Sequence, residues 1–205
     1  MPVDSQSASQ STPDASGPPV RVRRLGRAER REQILAAATQ AFARAGFAGT
    51  SLDDIAAEAG ISRVILYRHF DSKTDLYRAV LDRTCARLVA TVGERDFTAA
   101  SVDALVGVAA DDPAGLRLLF QHAAREPEFR ADADQFRAGM VAVAHRELAG
   151  TIPDQAWARW AAQLAPTVAI EAITAWLDAG QPDPDQAPER VRQALNGVLQ
   201  AAQRR

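Results

Sequence analysis

Between Thr50 and Leu76 the chain starts and stops helices at such short intervals that little freedom remains in how they pack. Ser51 is placed to cap a helix, and Asp54 three residues on gives a weaker version of the capping box. Leu52, Ile55, Ala56 and Ala59 then share one face. Gly60 supplies the left-handed residue that ends this helix, and Ser62 caps the next. Ile61 before the cap and Leu66 within the helix are spaced as a hydrophobic staple, which fixes the angle of entry. Leu66 and Phe70 lie one turn apart and point to the core, whereas Arg63, Val64, Tyr67 and Arg68 fall on another face. Ser72 and Asp75 repeat the cap pattern for a third helix. A helix, a glycine turn and a short helix with a basic, aromatic face is the layout of a helix-turn-helix, whose second helix enters the major groove of duplex DNA.

The rest of the chain lacks strand-like alternation, so the expected class is all-α. A first helix runs from about Ala28 to Ala45, with Ile34, Leu35, Ala38, Phe42 and Ala45 on one stripe and Gly46 as its stop. The helix starting near Lys73 carries Leu76, Val80, Leu81, Leu88 and Val89 and ends near Gly93; Gly93 to Phe97 is the expected joint between two domains. Val102, Leu105, Val106 and Ala109 mark a short helix stopped by Asp111-Asp112-Pro113. Leu116, Leu119 and Phe120 mark another, broken at Glu126-Pro127-Glu128. A longer helix bears Phe136, Met140, Val143, Ala144 and Leu148 and ends at Gly150. The next spans about Pro153 to Ala179, where Pro166 is expected to bend or locally break it. A last helix carries Val191, Leu195, Val198, Leu199 and Ala202. The apolar stripes of these last two helices either pack inside one subunit or close with a second copy as a four-helix bundle.

At 205 residues the chain holds one domain or two small ones, and a hydrophobic content of 47% is ample for a packed core. The net charge is only -2, but it is uneven. Arg21, Arg23, Arg24, Arg27, Arg30 and Arg31 face the single acid Glu29. A basic arm on a mildly acidic chain suits site-specific DNA binding better than nonspecific coating. The arm either follows the minor groove and nearby phosphates or is a frayed solubilising tail. Residues 1–20 read as a disordered tail without the apolar segment of a secretion signal. Cys85 is the only cysteine, which excludes an intramolecular disulfide and fits a reducing cytoplasm. No run of 18 apolar residues exists, so no membrane span is expected.

The order of signals from Arg30 to Leu76 resembles the N-terminal domain of the TetR family of bacterial transcriptional regulators. The matching residues are Ile34-Leu35-Ala36-Ala37-Ala38, Phe42-Ala43-Arg44-Ala45-Gly46-Phe47, Gly49-Thr50-Ser51, Ile55-Ala56 and Ala59-Gly60-Ile61-Ser62. They continue through Leu66-Tyr67-Arg68-His69-Phe70, Ser72-Lys73 and Asp75-Leu76. The resemblance implies an N-terminal three-helix DNA-binding domain with a helix-turn-helix, and a C-terminal helical ligand-binding and dimerisation domain. It divides the chain into the tail at 1–20, the DNA-binding domain with its basic arm at 21–75 (Arg21, Arg23, Arg24 and Arg27 in the arm), and the effector domain at 76–205. It also implies a cytoplasmic homodimer, joined by its last two helices, that holds a palindromic operator in double-stranded DNA and is released by a small-molecule effector.

By the same resemblance, Thr50, Ser51, Tyr67, His69 and Lys73 stand where phosphates are touched, and Arg63, Val64 and Arg68 where base edges are approached. Lys73 is the only lysine and follows a cap, where backbone N–H groups form an anion site. Family members often carry Gly or Ala in place of Val64 and Thr or Ser in place of Ile65. Ile65 cannot donate to a phosphate, and either Val64 or Ile65 can instead meet a thymine methyl group. Each of these side chains competes with a plainer reading, as a solvated arginine or a half-buried aromatic.

For the effector, Phe120, Gln121, His122, Trp157, Trp160, Gln163 and Glu171 combine aromatic walls with a few polar groups, although aromatic residues at helical spacing also build ordinary core. His122 and Glu126 have one-turn spacing, but two ligands do not make a metal site, and no metal or cofactor is expected. Little beside Arg83 and Arg87 would activate Cys85 as a redox sensor. No Gly-rich phosphate loop, histidine-pair motif or nucleophile elbow appears, so an enzyme is not expected. A constitutive regulator or an activator without effector fits the same residues.

Overall fold

The computed structural model describes residues 25–92 and 99–204. The tail, Arg21, Arg23, Arg24 and the expected joint at Gly93–Phe97 lie outside the described residues. Among those described there is no strand. The described residues form nine α-helices: α1 (Arg27–Gly49), α2 (Leu52–Glu58), α3 (Arg63–Tyr67), α4 (Lys73–Val92), α5 (Ala99–Asp111), α6 (Pro113–Arg117), α7 (Arg130–Leu148), α8 (Gln155–Asp178) and α9 (Ala187–Gln203). A π turn at Leu118–His122 and a 3-10 turn at Ala123–Arg125 join α6 to α7.

Local chemistry accounts for the ends of these helices. Gly46 sits inside α1 at φ 72, ψ 174, a conformation close to glycine-only, so the regular helix stops where the sequence places its stop. Ser51 and Asp54 form the capping box: Asp54 N–H donates to Ser51 Oγ at 3.1 Å, and Ser51 N–H donates to Asp54 Oδ2 at 3.0 Å. Gly60, at φ 63, closes α2 in a Schellman motif, with Gly60 N–H donating to Ala57 O and Ile61 N–H to Ala56 O. Ser62 accepts from Ile65 N–H and Ser72 from Asp75 N–H, so α3 and α4 start at the expected caps. Pro166 is buried inside α8, and the helix runs on through it, where the sequence predicts a bend or break. Its missing N–H removes one hydrogen bond, while helices on either side of α8 hold the segment in register.

The apolar core is continuous from α1 to α9. Ile34, Leu35, Ala38 and Phe42 of α1 pack with Ile55, Leu66 and Phe70, and the same cluster runs through Tyr77, Val80 and Leu81 of α4 to α5, α8 and α9. The expected domain boundary at residues 75 and 76 therefore falls at the start of a helix shared by both halves. A smaller cluster, including Leu148, Ile152, Ala161 and Val198, closes the far end of α7, α8 and α9.

Two features tie the halves together. Phe129, fully buried just before α7, lies with its ring centroid 4.3 Å from Tyr77 and 4.9 Å from Phe47. Asp112, the N-cap of α6, accepts from Gly115 N–H at 2.9 Å and from Arg87 at 3.0 Å, and Arg83 beside it reaches Glu32 of α1 at 2.9 Å. A Cβ at Gly115 would fall 2.7 Å from Asp112 Oδ2 and 2.8 Å from Thr84 Oγ1, so a larger residue here must displace the capping carboxylate or the threonine. Phe129→Ala is expected to lower stability by about 3–5 kcal/mol, as for a large aromatic truncated in a core, read from the midpoint of urea unfolding.

Candidate nucleic-acid interface

Helix α3 is a short helix with two unlike sides. Leu66 has no exposed surface and Phe70 just beyond the helix has 3%, whereas Val64 is 64% and Tyr67 42% exposed. Arg63 and Arg68 are also exposed. The inner side is held by α1 and α2, and Gln33 of α1 ties down the end of α2 by donating to Ala59 O at 2.7 Å. Arg31 lies over the Phe70 ring, 5.2 Å from its centroid. The four side chains assigned to one face by spacing do share the outer side.

Arg63 does not extend freely. One terminal nitrogen donates to Asp53 Oδ2 at 3.0 Å and the other to Tyr67 Oη at 3.2 Å, with the guanidinium 5.5 Å from the Tyr67 ring centroid. The Tyr67 hydrogen bond and then the Asp53 charge hold the Arg63 pKa above its ordinary value. Sequence reasoning missed Asp53, since a contact across the glycine turn has no local signature.

Thr50 and Lys73 are placed otherwise than the sequence reading has them. Thr50 is buried, and its hydroxyl is directed inward, 2.7 Å from Gly46 O and 3.2 Å from Ala41 O. It closes the carbonyl end of α1 left open by the Gly46 break. Lys73 reaches back to the same junction: its ammonium donates to Phe47 O at 2.8 Å and Thr50 O at 3.0 Å and lies 4.4 Å from the Phe47 ring centroid. Two of its three protons are engaged, which leaves one for an outside acceptor. Ser51 is exposed but its hydroxyl is the α2 cap. His69 is half-buried; burial, followed by the charges of Arg27, Arg31 and Arg30, holds its pKa below the ordinary value. Arg27 is exposed in the first turn of α1.

Further along the chain, a cavity of about 690 Å³ opens between α4, α5, α7 and α8. Its wall is mainly apolar, with Leu88, Leu105, Phe120, Phe136, Met140 and Val143 among the lining residues. Asp82, Asp132, Gln135 and Arg146 add polar groups. Cys85 also lines it; burial, with Asp82 and Asp132 adding to the effect, pushes the thiol pKa up to about 11, which suppresses the thiolate. Of the seven residues proposed from sequence for an effector site, only Phe120 lines this cavity. Gln121 and His122 share its π turn and are half-buried, and Gln163 and Glu171 face solvent. Trp157 and Trp160 pack edge to face with centroids 5.5 Å apart, 47% and 39% exposed on the outside of α8. They are neither core nor cavity wall.

Residues 34–80 match the profile of bacterial regulatory proteins of the tetR family. The stretch that carries the helix-turn-helix is thus similar to the DNA-binding domain of that family. Among its relatives, the HTH-type transcriptional activator FasR of Mycolicibacterium smegmatis is 39% identical over 107 residues, covering 48% of this chain and 49% of FasR. The chain thus spans about half the length of that relative. A TetR-like regulator from Rhodococcus sp. RHA1 has a similar fold, with TM-score 0.70 and 22% identity over 84% of this chain and 96% of that one. The transcriptional regulator FadR of Bacillus subtilis, solved in complex with stearoyl-CoA, aligns with TM-score 0.61 and 18% identity over 82% of this chain and 97% of FadR. The structural likenesses are ones of fold. Within the matched stretch Lys73 acts first as a brace: Lys73→Ala removes the donor that two half-buried carbonyls share and is expected to lower stability by about 1–3 kcal/mol in the absence of DNA, measured by urea unfolding.

Proposed function

We propose that the protein is a sequence-specific DNA-binding transcriptional regulator that binds a palindromic operator as a homodimer and is released by a small apolar ligand. The observation that carries this reading is the two-sided α3, with Leu66 buried and Val64 and Tyr67 presented outward beside Arg63 and Arg68. A helix so mounted enters a major groove as a stiff body. Arg63 and Arg68 supply donors for guanine N7 and O6, and Val64 supplies a methyl surface for thymine. Tyr67, His69 and the remaining proton of Lys73 supply phosphate contacts at the rim, joined by the α2 N-terminus around Ser51 and by the arginine arm.

Two reading heads need a second copy. Trp157 and Trp160 leave apolar surface open on α8, and Ala194, Gly197 and Ala201 give exposed α9 a close-packing face. Pairing of the α8–α9 hairpins from two subunits covers both and forms a four-helix bundle. The effector occupies the cavity against Phe120, Phe136 and Met140. An elongated apolar molecule, such as the acyl chain bound by Bacillus subtilis FadR, matches this wall. Its differential affinity would act through Phe129, which leads into α7 and rests on Tyr77 and Phe47 at the root of the DNA-binding half. A small tilt of α4 then misplaces heads that must stand about 34–36 Å apart. The name of FasR as an activator favours a second reading, in which the same operator contact recruits rather than blocks transcription.

Selection of bound sequences from random duplex DNA is expected to return an inverted repeat. Arg68→Ala should relax one position in each half-site by about 1–3 kcal/mol, in a panel of single-substitution operators. A pool with no enriched symmetric sequence would refute the operator assignment. Met140→Trp, which fills the cavity, should leave operator affinity intact and remove release by effector in the same assay; persistent release would place the effector elsewhere.

A further inference from the structure

Asp53 is an acid on the face where the DNA-binding reading puts a polyanion, and nothing in that reading explains it. Its carboxylate holds Arg63 at 3.0 Å, and Arg63 in turn holds Tyr67 Oη at 3.2 Å. We propose that Asp53 is a specificity-determining positioning residue, which lays the Arg63 guanidinium across α3 toward the base edges and keeps it off the phosphate backbone. This rests on the DNA-binding reading above.

A mobile arginine beside DNA is drawn to the nearest phosphate, a contact that carries no sequence information. Asp53 opposes that in two ways. It offsets the charge the phosphate would attract, and as an acceptor-only group it repels a phosphate that comes close. Guanidinium has five N–H donors, so with one hydrogen bond to Asp53 and one to Tyr67, three remain to serve the N7 and O6 acceptors of guanine. The anchor is firm because Asp53 lies in the first turn of α2, next to the Ser51–Asp54 capping box. The Arg63 and Asp53 side chains are 57% and 62% exposed, so the pair adds little to folding stability, and its effect on DNA can be separated from its effect on fold.

The test uses the full chain as wild type, Asp53→Asn, Arg63→Ala and the double variant. Each is titrated with a duplex selected by the wild type, with single-base variants of it, and with a scrambled duplex, over a range of salt concentrations. Asp53→Asn should bind the scrambled duplex more tightly, with a salt dependence steeper by about one released ion per subunit. Discrimination at one base pair of the half-site should fall about fivefold or more, with an unchanged melting temperature. In the Arg63→Ala background the same substitution should leave discrimination at that base pair unaltered. Equal changes on selected and scrambled duplexes, or discrimination preserved in Asp53→Asn, would overturn the role of Asp53 while leaving DNA binding standing. A wild type that holds no duplex at low salt overturns the DNA-binding reading itself, and is seen before any variant is compared.

Discussion

Helix α4 is the constraint on which the two halves of this molecule depend. Leu76, Tyr77, Val80 and Leu81 on its inner face are buried at 3% exposure or less, and they belong to one cluster with α1 on one side and α5, α8 and α9 on the other. An interior of this kind is close-packed, so α4 cannot shift without moving both sets of neighbours. Phe129 seals its start and the Asp112–Arg87 pair its middle. Burial, with the charge of Glu126 adding to it, holds the pKa of Tyr77 well above the ordinary tyrosine range, and its hydroxyl has no hydrogen-bond partner among the described residues.

Seen from α4, the proposed reading face is a rigid projection rather than a flexible arm. Its inner residues Leu66 and Phe70 are part of the same core, and its outer residues are organised by charge. Asp53, Arg63 and Tyr67 hold one another across α2 and α3. Lys73, Thr50 and Phe47 knit the α1 break to the start of α4. The break at Gly46 therefore creates open carbonyls that two side chains named for phosphate contact satisfy from within.

Much of the N-terminal half was legible because its signals are local. Caps, glycine stops and three-four spacing depend on residues within one turn of each other, and Ser51, Gly60, Ser62, Ser72 and the Leu66–Phe70 pair fall where the spacing puts them. The C-terminal helices were legible as elements but not as a site. Trp157 and Trp160 share helical spacing with core residues such as Ala158 and Ala161, and residue type alone does not say which stripe of α8 turns inward. The cavity wall draws on Leu88, Leu105, Phe136 and Met140, apolar residues whose sequence signal is that of plain core.

By itself the sequence determined an all-helical chain, a helix-turn-helix between Thr50 and Leu76 and the basic, aromatic face of its second helix, because each follows from capping, periodicity and charge within a short stretch. Only the tertiary structure decided that Thr50 is buried and Lys73 braced, that Asp53 holds Arg63, that the cavity lies between α4, α5, α7 and α8, and that the α8 tryptophans face outward. Those outcomes depend on which groups from distant segments compete for the same donors, acceptors and apolar surface, and that competition is settled only when the helices pack.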